Sequence, residues 1–196
     1  MGPVAPVGGG GLAGCEAAVQ LARRGARVRL VEMRPVRATA AHRTGELAEL
    51  VCTNSLKSED PANAHGQLKR EMRALGSVVL AAAAEARVPA GSALAVDRDL
   101  FSRAVTGEVA RHATIEVVRE EVTALPDGPA VVATGPLTSD ALARAVEATL
   151  GTGALAFYDA IAPIVHRDSL DETVVFQAGR FGEDADYLNC PMSRDE

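Results

Sequence analysis

At 196 residues the chain slightly exceeds the usual single domain, so one domain plus the start of another is expected. Apolar residues make up 47% of it while Trp is absent and aromatics reach only 3%, which calls for a core of Ala, Val and Leu packed between helices and sheet. The formal charge of −6 divides unevenly: residues 1–100 carry 13 Lys/Arg against 10 Asp/Glu, and residues 101–196 carry 7 against 16, a balance that excludes a general nucleic-acid binder.

Any RNA contact therefore has to come from a local basic patch or from protein beyond this chain. No apolar run approaches the roughly 20 residues of a membrane span, and the N-terminus lacks a secretory layout, so no membrane contact and a cytoplasmic location are expected. Cys15, Cys52 and Cys190 are dispersed and odd in number, which fits reduced thiols and predicts neither a disulfide framework nor a metal site.

In chain order, Val4 to Gly8 reads as a short strand, interrupted in character by Pro6 and Gly8, and Leu12 to Arg24 as a helix ended by Gly25. Val28, Leu30 and Val31 form a second strand closing on Glu32, before Pro35 breaks the pattern. Residues 35–63 show little periodicity and read as a long loop excursion of the kind that often carries function. Leu68, Met72, Leu75 and Val79 space a helix over residues 64–87, with Gly76 its weak point.

Asp97 is placed to cap a helix over Arg98 to Arg111. Ile115 to Val118 and Glu121 to Leu125 read as short strands, and Pro129 to Thr134 as a buried one ending at Gly135-Pro136. Ser139 opens a helix that closes near Leu150. Beyond Gly151 the texture changes to strand-like pieces, Phe157 to Val165 and Thr173 to Phe176. A boundary is therefore placed there, with residues 1–150 as one domain and 151–196 as the start of a second. Ser193-Arg194-Asp195-Glu196 has the S-x-x-E form of a capping box with no helix after it, so the chain is expected to be cut short.

The most informative motif is Gly9-Gly10-Gly11-Leu12-Ala13-Gly14, a G-x-G-x-x-G turn at a strand-to-helix junction. Gly9 would permit the tight turn, Gly11 the approach of a pyrophosphate, and Gly14 close packing of helix on strand, with free N–H groups facing the anion. Glu32 ends the second strand, where its carboxylate would accept from an adenosine ribose and disfavour a 2′-phosphate. The alternative is an unliganded flexible turn and a solvated acid. Cys15 on the binding helix reads as a small buried residue.

Val131-Val132-Ala133-Thr134-Gly135 is a weaker second signal. Cys52 lies among hydroxyls and amides with Lys57 nearby, either a thiol able to act as nucleophile or proton acceptor or an ordinary loop cysteine. His42 and His65 divide in the same way between acid-base or phosphate contacts and solvated loop residues.

Taken together, these segments resemble the folate- and FAD-dependent tRNA uracil-5-methyltransferases. The likeness rests on Gly11-Leu12-Ala13-Gly14-Cys15-Glu16-Ala17-Ala18, Glu32-Met33-Arg34-Pro35, Glu49-Leu50-Val51-Cys52-Thr53-Asn54-Ser55-Leu56, the stretch from Val88 to Arg98, the stretch from Ala133 to Ser139, and Tyr187-Leu188-Asn189-Cys190-Pro191-Met192. Related wobble-modifying flavoproteins share the glycine turn and Ala-Gly-Cys-Glu-Ala, so the segments around Cys52 and Val88 discriminate between the two. The departures are Pro6 and Gly8 in the first strand, Gly10 where the family usually has Ala, and Ala40 where it often has Pro.

The resemblance implies an α/β, Rossmann-like FAD-binding domain of the glutathione-reductase type followed by the start of an α+β domain. It implies a one-carbon unit carried from methylenetetrahydrofolate to carbon five of a T-loop uridine in tRNA, reduced to methyl by FAD that NAD(P)H has reduced. Cys52 would be catalytic, attacking the uracil ring or removing the carbon-five proton. Gly9, Gly10, Gly11, Leu12, Ala13, Gly14, Glu32, Arg34, Thr134 and Gly135 would hold FAD. The resemblance places the second active-site cysteine, and most of the folate and tRNA surface, in a missing C-terminal half, so the fragment alone would be inactive. The alternatives are a wobble-uridine-modifying relative and a non-catalytic FAD-binding remnant.

Overall fold

The computed structural model describes residues 4–151, 165, 167–179 and 185–193. The chain is α/β. A parallel sheet of four strands has the order β6-β2-β1-β7, formed by β1 (Val4–Gly8), β2 (Arg27–Val31), β6 (Ile115–Val118) and β7 (Val131–Val132). Along β2, Val28 and Leu30 are buried while Arg27 and Arg29 are exposed, so one face of the sheet carries the core.

Over that face lie α1 (Leu12–Arg23), α3 (Val78–Glu85) and α4 (Arg98–Arg111). Helix α1 buries Gly14, Cys15, Ala18, Val19 and Ala22, small residues at helical spacing that let it press against β1 and β2. The core is mostly Val, Leu and Ala as composition requires, with Phe101 of α4 its largest fully buried side chain.

Pro6 does not break the central strand, for a reason that lies in the register. Gly8 C=O accepts from Ala133 N–H at 2.7 Å, whereas Gly9 N–H points the other way, to Val31 C=O at 2.8 Å. By strand alternation the Pro6 nitrogen faces the β7 side, and β7 pairs only with Val7 and Gly8. The missing donor therefore falls just beyond the end of the neighbouring strand, where no ladder bond is lost.

Several expectations are corrected. The stretch 64–87 is two helices, α2 (Ala64–Ala74) and α3, because Gly76 takes φ +73 and turns the chain between them. Glu16 of α1 fixes that break: its carboxylate accepts from the Ser77 hydroxyl at 2.6 Å and from Val79 N–H at 3.1 Å, at the start of α3. The excursion 35–63 contains β3 (Ser55–Ser58), which pairs antiparallel with β5 (Ala93–Val96), itself paired with β4 (Arg87–Val88).

Glu121–Leu125 forms no strand, and the strand expected over Pro129–Thr134 shrinks to β7, with Val131 half-buried and Val132 exposed. Both stretches carry the apolar content of strands, but among the described residues Glu121–Leu125 has no strand to pair with and Val131–Val132 has only β1. The expected strand at Thr173–Phe176 begins only at its last residue: β8 (Phe176–Ala178) follows a turn and pairs with β9 (Tyr187–Asn189). Residues 157–164 lie outside the described residues.

The predicted caps hold. Asp97 Oδ1 accepts Leu100 N–H at 2.9 Å, and Ser139 Oγ accepts Leu142 N–H at 3.4 Å at the start of α5 (Asp140–Leu150).

Candidate functional site

The strand-to-helix turn follows β1 and opens α1. Gly9 has φ +98, and a Cβ there would sit 2.5 Å from Ala133 C=O and 2.8 Å from Thr134 Cα. The end of β7 thus presses on the first glycine, which brings the Ala-Thr-Gly segment against the Gly-rich turn. A Cβ on Gly14 would lie 1.8 Å from Gly9 C=O, so helix and turn touch through backbone. On Gly11 it would meet nothing within 4 Å, which leaves that side open for a ligand.

The amides of the turn are unequally available. Gly9 N–H is bound to Val31 C=O, and Gly10 N–H donates to Glu32 Oε2 at 2.8 Å. Gly11 is the N-cap of α1 and brings no side chain to cap it, so the amides of Leu12 and Ala13 in the first turn have no intrahelical acceptor. An anion would meet these amides and the positive end of the helix dipole.

Glu32 and Arg34 are both buried, at 7% and 3% exposure. Glu32 Oε1 accepts from Arg34 N–H at 3.0 Å and from Arg34 Nε at 2.9 Å, and Arg34 Nη1 donates to Glu49 Oε2 at 2.9 Å. Glu49 in turn accepts from the N–H groups of Arg43 and Thr44 and from the Thr44 hydroxyl. Burial alone would raise the Glu32 and Glu49 carboxyls, but hydrogen bonds outweigh it and hold both below their usual value: from Arg34 and Gly10 for Glu32, from Arg43 and Thr44 for Glu49. Ala48 N–H donates to Gly10 C=O at 2.8 Å, so residues 43–49 are strapped to the underside of the turn.

Arg34 is thereby bound to two carboxylates rather than presented to solvent. Glu49 and Ala48 went unrecognised in sequence; the signal available was the position of Glu49 at the head of the segment containing Cys52.

A cavity of ≈70 Å³ opens beside the turn, between Gly9, Gly11, Glu32, His42, Glu121 and Thr134. His42 is half-buried with its Nδ1 2.6 Å from Thr39 Oγ1, and burial, then the Arg34 charge, lowers its pKa. Thr134 Oγ1 lies 2.5 Å from Thr138 Oγ1, and Gly135, at φ +68, starts a short 3-10 helix through Leu137. Glu121, on the cavity wall, is ion-paired to Arg37.

Cys15 is buried, donates through Sγ to Gly10 C=O at 3.3 Å, and is pushed up to about 12, first by desolvation. Cys52 is exposed and lines neither this cavity nor the next; its neighbour Thr53 lines a second groove, with His65. Cys190 is also exposed. Among the described residues no helix is long and apolar enough to cross a membrane, and no three His, Cys, Asp or Glu side chains converge as a metal site would need.

The family model for glucose inhibited division protein A matches residues 5–196. This chain belongs to that family. Within the glucose inhibited division protein A family, the chain is 61% identical over 191 residues to methylenetetrahydrofolate--tRNA-(uracil-5-)-methyltransferase TrmFO of Rhizorhabdus wittichii, covering 96% of itself and 43% of that relative. It is 55% identical over 189 residues to the Bacillus subtilis protein of the same name, again covering 96% of itself and 43% of the relative. The chain thus spans less than half the length of these relatives. Among solved structures, Aquifex aeolicus GidA aligns with TM-score 0.48 and 21% identity over 64% of this chain and 20% of its own, a likeness that adds nothing to the assignment.

Proposed function

We propose that this chain is the FAD-binding part of a cytoplasmic tRNA (uracil-5-)-methyltransferase, with residues 1–150 as the nucleotide domain and 151–196 as the start of a second. The observation that carries the reading is the turn itself: Gly11 opens onto space, the amides of Leu12 and Ala13 lack acceptors, and the Ala133-Thr134 backbone closes the opposite side. Identities of 61% and 55% to relatives named for this activity support the reaction class over the wobble-modifying one.

In this reading the pyrophosphate of FAD rests on the Gly11, Leu12 and Ala13 amides, with Thr134 and Gly135 alongside. Glu32 Oε2 accepts one bond, from Gly10, and retains a second lone pair for a ribose hydroxyl. Arg34 serves FAD through Glu32, by keeping that carboxylate ionised and fixed. The cavity beside the turn, ≈70 Å³, is far smaller than pockets that enclose a drug-sized ligand, in keeping with a site closed by further protein.

When bound, reduced FAD would supply the electrons that turn a folate-derived one-carbon unit into methyl, and NAD(P)H would reduce the flavin. Cys52, exposed on its turn, is accessible to a uracil base, to attack the ring or take the carbon-five proton.

The test uses the full-length protein. It should show flavin absorbance and transfer folate-derived carbon to a T-loop uridine; Cys52→Ala should keep the yellow colour and lose methylation. Absence of flavin and transfer in the parent protein refutes the reading. Normal methylation by the variant refutes the role of Cys52. Loss of a wobble modification rather than of ribothymidine in a deletion strain would assign the chain to the wobble-modifying reaction instead.

A further inference from the structure

A second groove, ≈710 Å³, lies beside the Cys52 segment, between β3 and the Ala90–Ala93 turn. Its volume is in the range of ligand-binding clefts. The groups lining it are biased toward donation. Thr53 Oγ1 accepts from Ser55 N–H at 3.1 Å, Ser55 Oγ accepts from Lys57 N–H at 3.2 Å, and Ser58 Oγ accepts both from Asp60 N–H at 3.1 Å and from Asn63 Nδ2 at 2.9 Å. Each hydroxyl has its oxygen engaged by the protein and its proton left to give.

Lys57 completes the array. It has φ +69 within β3, at the irregularity between the Ser55 and Ser58 pairings, and its ammonium has no ion-pair or hydrogen-bond partner among the described residues. A non-glycine residue in the left-handed region costs free energy, and in a strand that strain re-aims the side chain. Among the described residues one carboxylate, Asp60, lines the groove too, with Oδ1 accepting from Ala62 N–H at 2.8 Å. The back wall is fixed: Tyr187 donates its hydroxyl to Ala90 C=O at 2.8 Å, and Asp186 accepts Gly91 N–H at 2.6 Å.

A row of hydroxyl donors with one free ammonium suits a ligand that offers only acceptors. We infer that this groove binds the phosphodiester backbone of the RNA substrate, with Lys57 on a phosphate and the hydroxyls of Thr53, Ser55 and Ser58 on neighbouring oxygens. This rests on the RNA-modifying function proposed above and adds the place where the strand lies, one residue from Cys52. A folate carboxylate offers similar oxygens, but among the described lining residues its ring system would find only Tyr187 and His65 to stack on, against the hydroxyls of Thr53, Ser55, Ser58 and Ser92 and the Lys57 ammonium that favour phosphates. Phosphate contact by few groups gives modest, salt-dependent affinity.

The experiment measures binding of a uridine-containing RNA stem-loop to the full-length protein by fluorescence anisotropy across a salt series, with FAD and tetrahydrofolate titrated separately. Lys57→Ala should weaken RNA binding about fivefold at low salt and flatten the log–log salt slope by about 0.7 to 0.9. Lys57→Arg should restore both to within about twofold, and FAD affinity should be unchanged in either. Ser92→Ala, on the same groove, removes a hydroxyl that bonds to none of the described residues and should weaken RNA binding about twofold without loss of fold.

Unchanged RNA affinity and slope in Lys57→Ala overturns the proposal, as does a parent protein that binds no RNA. A fall in tetrahydrofolate affinity with RNA binding intact also overturns it, and assigns the groove to folate. Loss of flavin binding and methylation in the parent protein, with Lys57-dependent RNA binding retained, would instead overturn the proposed reaction and leave the groove.

Discussion

Glu32 Oε2 accepts the N–H of Gly10 at 2.8 Å, so the acid at the end of the second strand holds the glycine turn from within the protein. Gly10 C=O is held as well, by Ala48 N–H and the Cys15 thiol. Both polar backbone atoms of this residue are therefore engaged within the protein, and the turn is held in shape without a ligand. Preorganisation of this kind removes ordering cost from binding.

Replacing Glu32 should accordingly disturb stability and affinity together. Glu32→Ala leaves Arg34, 3% exposed, with Glu49 as its single carboxylate partner. The expected cost is about 3 kcal/mol, read from the midpoint of urea unfolding followed by circular dichroism, with FAD affinity of the folded fraction at least tenfold weaker. A variant of parental stability would show that the buried ion pairs contribute nothing net.

Gly11 and Gly14 should separate fold from binding. A Cβ at Gly14 would sit 1.8 Å from a backbone oxygen, so Gly14→Ala must shift α1 away from the turn and should cost about 3 kcal/mol or more. At Gly11 a Cβ meets no protein atom, so Gly11→Ala should unfold within about 1 kcal/mol of the parent while losing at least tenfold in FAD affinity. Equal loss of stability in the two variants would contradict this account.

The acid limb of stability should be set by carboxylates. Glu16, Glu32 and Glu49 are all held below their ordinary 4.5 by hydrogen bonds that outweigh burial. A depressed folded pKa contributes stability that is present above the unfolded value and lost as pH falls through the folded one. Unfolding midpoints should stay level down to about pH 5 and fall below about 4.5, and Glu32→Gln should flatten that fall. A midpoint rising on acidification would reverse the assignment.

Thiol chemistry should divide the cysteines. Cys52 and Cys190 are exposed, whereas Cys15 is fully buried with its pKa raised to about 12. A neutral thiol reagent at pH 8 should label the first two within minutes and Cys15 only on unfolding, as peptide mapping by mass spectrometry would show. For Cys15, a folded pKa above the unfolded 9.0 means its stabilising contribution is intact below pH 9 and is lost as pH climbs toward 12. Rapid labelling of Cys15 in the native protein would contradict the packing of α1 on the sheet.

What the sequence determined by itself were features that depend on neighbours along the chain. The G-x-G-x-x-G turn, the caps at Asp97 and Ser139, the helix stop at Gly25 and the second strand over Val28 to Val31 are local backbone chemistry, legible from spacing and residue type. The family likeness was legible for the same reason, in short contiguous motifs. What only tertiary structure decided were relationships between distant segments. Pro6 is harmless because β7 stops short of it, the 129–134 strand shrinks to two residues because pairing ends there, and Arg34 turns inward because Glu49, fifteen residues on, folds back to meet it. Hydrogen-bond satisfaction in a buried ladder or ion pair depends on which chain segment lies alongside, and residue spacing in one dimension carries no record of that.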